Sequence, residues 1–212
     1  MKKIVILISG RGSNMQALLT AKLPCQIAAV ISNVAEAAGL DIAKKLNIPT
    51  HLVAHRDYTD RSSFELALSK KIDDYRPDFI ILAGFMRILT EQFVNNYRGK
   101  LINIHPSLLP AYAGMNTHER ALKDGVKIHG CTVHFVTPDL DHGPIIVQAA
   151  VPVLGHDTVQ TLSQRVLGEE HVIFPEAVRW LCSGQTSLDE NGKVKHSAEK
   201  HIGVALISPV LE

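Results

Sequence analysis

Short apolar runs at Ile4–Ile8, Ile27–Ile31 and Phe79–Leu82, and further strand candidates at Pro49–Val53 and Lys100–Ile104, alternate with segments whose apolar positions recur at three and four. Runs of four or five apolar residues without polar alternation fit strands buried on both faces. The intervening segments predict helices over Ser13–Leu19, over Glu36–Leu46 through Ala37, Leu40, Ala43 and Leu46, and over Arg61–Tyr75 through Phe64, Ala67, Leu68, Ile72 and Tyr75. Pro77 closes the third helix, and Thr90 is suited to cap a fourth that runs to Tyr97. Strands alternating with helices at this spacing imply right-handed crossovers and a parallel sheet. Beyond Ile104 the pattern changes: two β-rich runs, Lys127–Val136 and Pro144–Val153, are joined by Thr137–Gly143, too short for a helical crossover, and so predict antiparallel neighbours. A long helix follows from Thr158 to about Cys182, with Pro175 inside it expected to kink it near His171 and Gly184 to stop it. The polar tail from Gln185 carries an Asn191-Gly192 turn and a late apolar run, Val204–Ile207, read as a small hairpin or a docking arm. The predicted fold is α/β: an open Rossmann-like parallel sheet in the N-terminal half, extended by antiparallel strands in the C-terminal half, with helices on both faces. One domain is expected over residues 1–212, divided into a parallel half (1–104), a second half (105–183) and a tail (184–212).

Candidate chemistry collects at the carboxyl ends of the predicted strands, the edge where open parallel sheets bind ligands. Asn103 and His105 are two apart on a strand and project to one face, while Ile102 and Ile104 point into the core. Pro106 ends that strand and holds His105 extended at its carboxyl end. An amide and an imidazole side by side can polarise a carbonyl and move a proton. The same residues equally suit a satisfied loop histidine and a turn-forming asparagine. Asp141, on the loop between the antiparallel strands with Gly143 allowing a sharp bend, is an acid that would orient His105 if the two meet. Near the amino terminus, Gly10-Arg11-Gly12-Ser13-Asn14 links a strand to a helix, placing exposed amides and the helix dipole where an anion binds. Ser13 and Asn14 are capping residue types, and Arg11 adds charge. Met15 replaces the third glycine of a dinucleotide fingerprint and no acid follows the second strand at Ser32-Asn33, so a single phosphate is the better ligand. The apolar stretch Ala83–Leu89, interrupted by Arg87, reads either as packing between sheet and helix or as the wall of a pocket for a flat aromatic ligand.

Composition narrows the partners. In 212 residues, 22 basic side chains are balanced by 21 acidic ones, a net charge of +1 that gives no electrostatic case for nucleic acid or a membrane surface. Small molecules are the expected ligands. The run after Met1-Lys2-Lys3 stops after five residues, so it reads as a strand and not as a signal peptide, and no run approaches the roughly 18 residues of a membrane span. Cys25, Cys131 and Cys182 are odd in number, far apart and without metal spacing, and are expected to be small core hydrophobes in a reducing cytoplasm, with no structural disulfide. His105, His118, His129, His134 and His142 crowd one region, but no pair has zinc-ligand spacing with a supporting acid, which sets a metal hydrolase aside. A nucleotide-binding oxidoreductase would explain the opening strand and glycine turn while leaving Asn103, His105 and Asp141 idle.

Four collinear motifs carry a resemblance. Ile8-Ser9-Gly10-Arg11-Gly12-Ser13-Asn14, Gly84-Phe85-Met86-Arg87-Ile88-Leu89, Asn103-Ile104-His105-Pro106-Ser107-Leu108-Leu109-Pro110 and Leu140-Asp141-His142-Gly143-Pro144 resemble the phosphoribosylglycinamide formyltransferase family, from the first strand through Pro175. The resemblance implies direct, metal-free formyl transfer from 10-formyltetrahydrofolate, a co-substrate, to the amine of glycinamide ribonucleotide in purine synthesis. It implies catalytic roles for Asn103, His105 and Asp141, and contacts with the substrate phosphate from Gly12, Ser13 and Asn14 and with its ribose from Glu170. It also implies a folate pocket made by Met86, Arg87, Ile88, Leu89 and Asn103, with Thr137, Pro138, Asp139, Leu140 and Asp141 opposite and Arg61 near the folate tail. His142 departs from the small residue common in the family at that position, and residues 184–212 match only weakly. Two relatives share the chemistry, methionyl-tRNA formyltransferase with an added RNA-binding domain and formyltetrahydrofolate hydrolase with an added regulatory domain, and 212 residues are expected to leave room for neither. A cytoplasmic monomer or weak homodimer is expected, without nucleic-acid or membrane partners.

Overall fold

The structure, a computed structural model, describes residues 1–197 and 207–208. Strands β1 (Lys2–Ile8), β2 (Cys25–Ser32), β3 (Thr50–Leu52), β4 (Phe79–Leu82), β5 (Leu101–His105), β6 (Ile128–Phe135) and β7 (Ile145–Pro152) form one seven-stranded sheet. Their order is β3-β2-β1-β4-β5-β6-β7. The first five are parallel, and β6 and β7 add antiparallel to β5 and to each other. The sheet therefore has the predicted mixed topology. The chain runs outward from β1 through β2 to β3 and then returns to β4 on the other side of β1, so the order reverses between β1 and β4. A crevice opens at the carboxyl ends of strands at such a reversal.

Alternation along each strand sorts its residues between two cores. Ile4, Ile6 and Ile8 of β1, Ile102 and Ile104 of β5 and Cys131, Val133 and Phe135 of β6 join helices α1 (Ser13–Thr20), α2 (Ala38–Lys45) and α6 (Val159–Ser183) in one cluster. Val5 and Leu7 of β1, Ile80 and Leu82 of β4 and Leu101 of β5 face the other way, onto α3 (Arg61–Asp73) and α4 (Glu91–Asn96). Past Leu101 that second face turns polar, through Asn103 and His105 on β5 and Thr132 and His134 on β6. Segments 106–116 and 136–143 wall it there. Thr132 Oγ1 donates to the Ser107 carbonyl at 2.7 Å and accepts from the Leu109 amide at 3.0 Å, fastening the first of these segments to the sheet.

Two features depart from the expected pattern. Helix α5 (Thr117–Asp124) has no counterpart among the predicted helices, because Ala121 and Leu122 are its only apolar residues and leave no periodic stripe. It is held instead by Arg120, whose guanidinium donates to the Ala113 carbonyl at 2.6 Å, and by Gly125, which closes it with φ of 68°. At α1 the cap residue is Gly12, in the left-handed conformation, and no side chain caps the helix; Ser13 and Asn14 are its first two residues. In the tail, β8 (Thr186–Leu188) and β9 (Val194–His196) make a hairpin about the Asn191-Gly192 turn, while Val204–Leu206 of the late apolar run lie outside the described residues.

Candidate functional site

The antiparallel register of β5 with β6 sets Asn103 opposite His134 and His105 opposite Thr132, so all four side chains share the polar face. His134 Nδ1 lies 2.9 Å from the Phe135 carbonyl, which places a proton on that nitrogen. His134 Nε2 is then the acceptor, and it receives the Asn103 amide at 3.2 Å. Burial lowers the His134 pKa, against the opposite pull of the Phe135 carbonyl and Asp141, and favours this neutral form. Asp141 reaches the pair from the loop between β6 and β7. Its Oδ2 is 3.5 Å from His105 Nδ1 and accepts from the Gly114 amide at 2.8 Å, while its Oδ1 is 3.9 Å from His134 Nε2. The side chains of His105 and Asp141 are both more than nine-tenths buried. His105 Nε2 sits 3.0 Å from the Tyr112 carbonyl, so both ring nitrogens face oxygen acceptors.

The loop that delivers Asp141 is tightly constrained. Asp141 itself has φ of 56°, a conformation that aspartate tolerates better than bulkier residues and that marks sites where geometry is held against local preference. A Cβ at Gly143 would lie 1.7 Å from the Phe135 carbonyl oxygen, so only glycine lets the loop close onto the end of β6.

Two strands away, the turn after β1 presents main chain. Gly12 has φ of 78°, and a Cβ there would lie 2.8 Å from Gly39 Cα, so the turn and the start of α2 meet backbone to backbone. Gly39 N donates to the Gly10 carbonyl at 3.1 Å, and the first helical bond runs from Gln16 N to the Gly12 carbonyl at 2.8 Å. As at any helix start, the first amides of α1 point outward without helical partners. Asn14 Nδ2 donates to Glu170 Oε2 of α6 at 2.6 Å, leaving Asn14 Oδ1 buried with no partner among the described residues. Burial raises the Glu170 pKa, with the Asn14 hydrogen bond opposing it.

Between these two parts, the segment after β4 is tied to the end of β1. Ser9 N donates to the Gly84 carbonyl at 3.1 Å, and the Met86 amide donates to Ser9 Oγ at 2.7 Å. Phe85 is buried and Leu89 packs on the second core, but Met86 and Ile88 are 61% and 58% exposed. Two large apolar side chains left in solvent decide against simple sheet-to-helix packing. Arg87 Nε is buried without a partner among the described residues. Across the crevice, Pro138, Asp139 and Leu140 are exposed and Thr137 is partly buried, its hydroxyl donating to the Asp139 carbonyl at 3.2 Å. Arg61, exposed at the start of α3, makes none of the hydrogen bonds or ion pairs that tie the other candidates together. Exposed His142 turns back onto its own loop, its Nδ1 2.6 Å from the Leu140 carbonyl. His134 escaped the motif reading because its place opposite Asn103 follows only from the register. Among the described residues, no three His, Cys, Asp or Glu side chains form a metal-holding group.

Comparison with known sequences gives first the class: the chain belongs to the formyl transferase family, whose sequence profile matches residues 2–178. Within that class, the relatives include proteins named phosphoribosylglycinamide formyltransferase. Phosphoribosylglycinamide formyltransferase of Escherichia coli is 46% identical over 192 residues, 89% of this chain and 91% of that protein. The human trifunctional purine biosynthetic protein adenosine-3 is 50% identical over 196 residues, 91% of this chain, which spans only 19% of that much longer protein. Among solved structures, phosphoribosylglycinamide formyltransferase of Coxiella burnetii superposes with a TM-score of 0.88 at 49% identity, covering 92% of this chain and 93% of that one.

Proposed function

We propose that this chain transfers the formyl group of 10-formyltetrahydrofolate to the primary amine of glycinamide ribonucleotide. The observation that carries the reading is the meeting of Asp141 with His105 at 3.5 Å, beside Asn103, on the crevice between an anion-binding turn and an exposed apolar wall. β1 and β5 are separated in the sheet by β4 alone, which puts the turn and His105 roughly 10 Å apart at 4.7–4.9 Å per strand. A nucleotide whose phosphate sits on the amides of Gly12, Ser13 and Asn14 spans that distance with its amine, and Glu170 and Asn14 meet its ribose on the way. The pteridine of the folate lies against Met86, Arg87, Ile88 and Leu89, opposite Thr137–Asp141, with its tail toward Arg61.

In this reading the amine nitrogen attacks the formyl carbon directly. Among the described residues no serine or cysteine beside His105 has a paired base, since Ser107 donates its hydroxyl to the Ala111 carbonyl, so an acyl-enzyme has no carrier. The formyl carbonyl becomes an oxyanion, stabilised by the His105 imidazolium, which Asp141 orients, and by the Asn103 amide. His134, as the neutral acceptor of an Asn103 hydrogen, fixes which way that amide points and is a positioning residue. One amine proton leaves through Asp141 or an ordered water and reaches the folate nitrogen as the carbon–nitrogen bond to the cofactor breaks. Neither side chains nor main chain require a metal for these steps. A cytoplasmic monomer or weak homodimer acting on small molecules fits this chemistry.

The test is the absorbance change on conversion of 10-formyltetrahydrofolate to tetrahydrofolate, with and without glycinamide ribonucleotide. Conversion only in the presence of the ribonucleotide supports transfer. Conversion without it means hydrolysis, and no conversion in either case means a different acceptor.

A further inference from the structure

The segment between β4 and α4 carries the apolar wall with little help from its own main chain. Among the described residues, the amides and carbonyls of Arg87, Ile88 and Leu89 make no hydrogen bond to backbone or side chain. Phe85 and Leu89 pack inward on the second core, while Met86 and Ile88 face solvent. Backbone without ladder partners keeps one conformation only if its ends are fastened. Two buried polar side chains, Asn33 and Glu65, fasten them, one at each end.

At the start of the segment, Ser9 donates its amide to the Gly84 carbonyl at 3.1 Å and accepts the Met86 amide on Oγ at 2.7 Å. The Ser9 hydroxyl proton goes to Asn33 Oδ1 at 2.6 Å. Asn33 is buried just past the end of β2, and His55 Nδ1 lies 2.8 Å from its carbonyl. Because β2, β1 and β4 are neighbours in the sheet, this chain of bonds ties three strand ends side by side. At the finish, Glu65 of α3 takes both polar groups of Thr90: Oε1 accepts from its amide at 2.8 Å and Oε2 from its hydroxyl. Glu65 is 4% exposed and makes no ion pair among the described residues. A carboxylate buried without a cation is costly unless donors meet it, and both donors that meet this one belong to the residue that ends the wall. An apolar contact would join α3 to α4 at lower cost. A two-point acceptor does what an apolar contact does not, which is to fix the position and rotation of one peptide unit.

We propose that Ser9, Asn33 and Glu65 are positioning residues for the folate co-substrate, holding segment 85–90 in its binding conformation before the ligand arrives. The inference rests on the reading of Met86–Leu89 as the folate wall. Asn33 and Glu65 are buried, so they act through the segment and not on the ligand. With an anchor removed, the segment spends part of its time in other conformations. The apparent affinity then falls by the fraction of molecules that remain competent, while the complex, once formed, is the same. Co-substrate KM therefore rises and kcat at saturation holds.

Binding of 10-formyltetrahydrofolate to the full chain is measured by calorimetry, alongside steady-state kinetics and hydrogen exchange of the peptide spanning residues 83–90. Glu65→Ala should weaken co-substrate binding and raise its KM roughly tenfold, with kcat at saturation and KM for the ribonucleotide unchanged, and should speed exchange in that peptide. Glu65→Gln keeps an acceptor for the Thr90 amide and should return the affinity to within about threefold of the wild type. Ser9→Ala leaves the Met86 amide without its acceptor; it should weaken co-substrate binding in the same way, and it carries the test if Glu65→Ala does not fold. Ile72→Val thins the packing of the same helix away from both anchors and should lower the melting temperature without changing folate affinity. A folded Glu65→Ala with wild-type affinity overturns the proposal, as does equal weakening in Glu65→Gln or in Ile72→Val. Failure of the folate reading is distinguishable. The wild-type chain then binds no 10-formyltetrahydrofolate, which overturns both, whereas failure of the inference alone leaves wild type and Glu65→Ala binding alike.

Discussion

The amino-terminal half of the sheet offers a ligand its main chain, and the carboxyl-terminal half offers side chains. At the turn after β1, the groups that face the crevice are amides exposed by a helix start, and glycines at 12 and 39 let two backbone segments touch. Over β5 and β6 the groups are Asn103, His105 and His134, aligned by strand register, with Asp141 brought in on a strained loop. Amides fixed in a helix bind charge without titrating, which suits a phosphate that stays unchanged through the reaction. Imidazole and carboxylate exchange protons, which suits the atoms that change. The difference implies that substitutions in the first region alter substrate affinity and substitutions in the second alter the rate of chemistry.

The largest effects are expected in the second region. His105→Ala and Asp141→Asn should each lower kcat by roughly 10²- to 10⁴-fold, the range for loss of an oxyanion donor or a proton-transfer group. Asparagine keeps both the loop conformation, since it also tolerates positive φ, and the hydrogen bond from Gly114 N, so the change isolates the charge. KM for the ribonucleotide and the thermal midpoint should move little. Steady-state kinetics with a melting curve checks both, and turnover near that of the wild type in either variant would remove His105 and Asp141 from the mechanism.

Gly12→Ala is the next largest and should act on the other side of the division. Alanine at φ of 78° costs about 1–2 kcal/mol, and its Cβ would sit 2.8 Å from Gly39 Cα, so turn and helix must separate. A shift of that kind moves the amides proposed to hold the phosphate by a fraction of an ångström or more. KM for the ribonucleotide is expected to rise roughly tenfold to a hundredfold, with a smaller change in kcat at saturation. A fall in kcat with KM preserved would break the comparison between the halves.

How much of this was legible in the sequence follows from which interactions are local. The strand ends and the glycine turn were readable because each is decided within a few residues: Phe79–Leu82 is a strand with the predicted bounds, and Thr90 caps α4 by accepting from Phe93 N at 3.2 Å. The projection of Asn103 and His105 to one face follows from strand periodicity alone. Their meeting with Asp141 does not, because it depends on how β6 pairs with β5 and on a loop that only Gly143 allows to close. His134 was invisible for the same reason, and α5 because it has no apolar stripe.

Glu170→Gln separates stability from binding within the first region. Burial raises the folded-state pKa of Glu170 above its usual value, so the ionised carboxylate is carried at a cost that protonation removes. For an acid shifted upward, the folded state holds the proton more tightly than the unfolded one, and stability is lost as pH rises through the folded-state pKa. Glutamine carries no charge at any pH, and its carbonyl oxygen can still accept from Asn14 Nδ2. The variant should therefore show a higher denaturant midpoint than the wild type at neutral pH, with the gap closing as pH falls below the Glu170 pKa. In the proposed complex a ribose hydroxyl loses a charged acceptor, worth about 1 kcal/mol, and KM should rise roughly fivefold. A midpoint gap that persists unchanged in acid would show that burial of the charge is not its source.

The smallest effect is expected at Arg11, and it is the sharpest test of whether main chain or side chain holds the phosphate. Arg11 is exposed on the turn, next to Gly12, and makes no ion pair among the described residues. An exposed charge facing a phosphate through solvent contributes about 0.2–1 kcal/mol, and salt screens it over a Debye length of roughly 10 Å at 0.1 M. Arg11→Ala should raise KM for the ribonucleotide by roughly twofold to fivefold at low ionic strength, leave kcat unchanged, and converge on the wild type as salt is added. The amides of Gly12, Ser13 and Asn14, proposed to hold the phosphate, are present in both proteins and account for the affinity that remains. A hundredfold loss that persists in high salt would mean that the side chain and not the helix start is the phosphate site, and the two halves of the sheet would then bind by the same means.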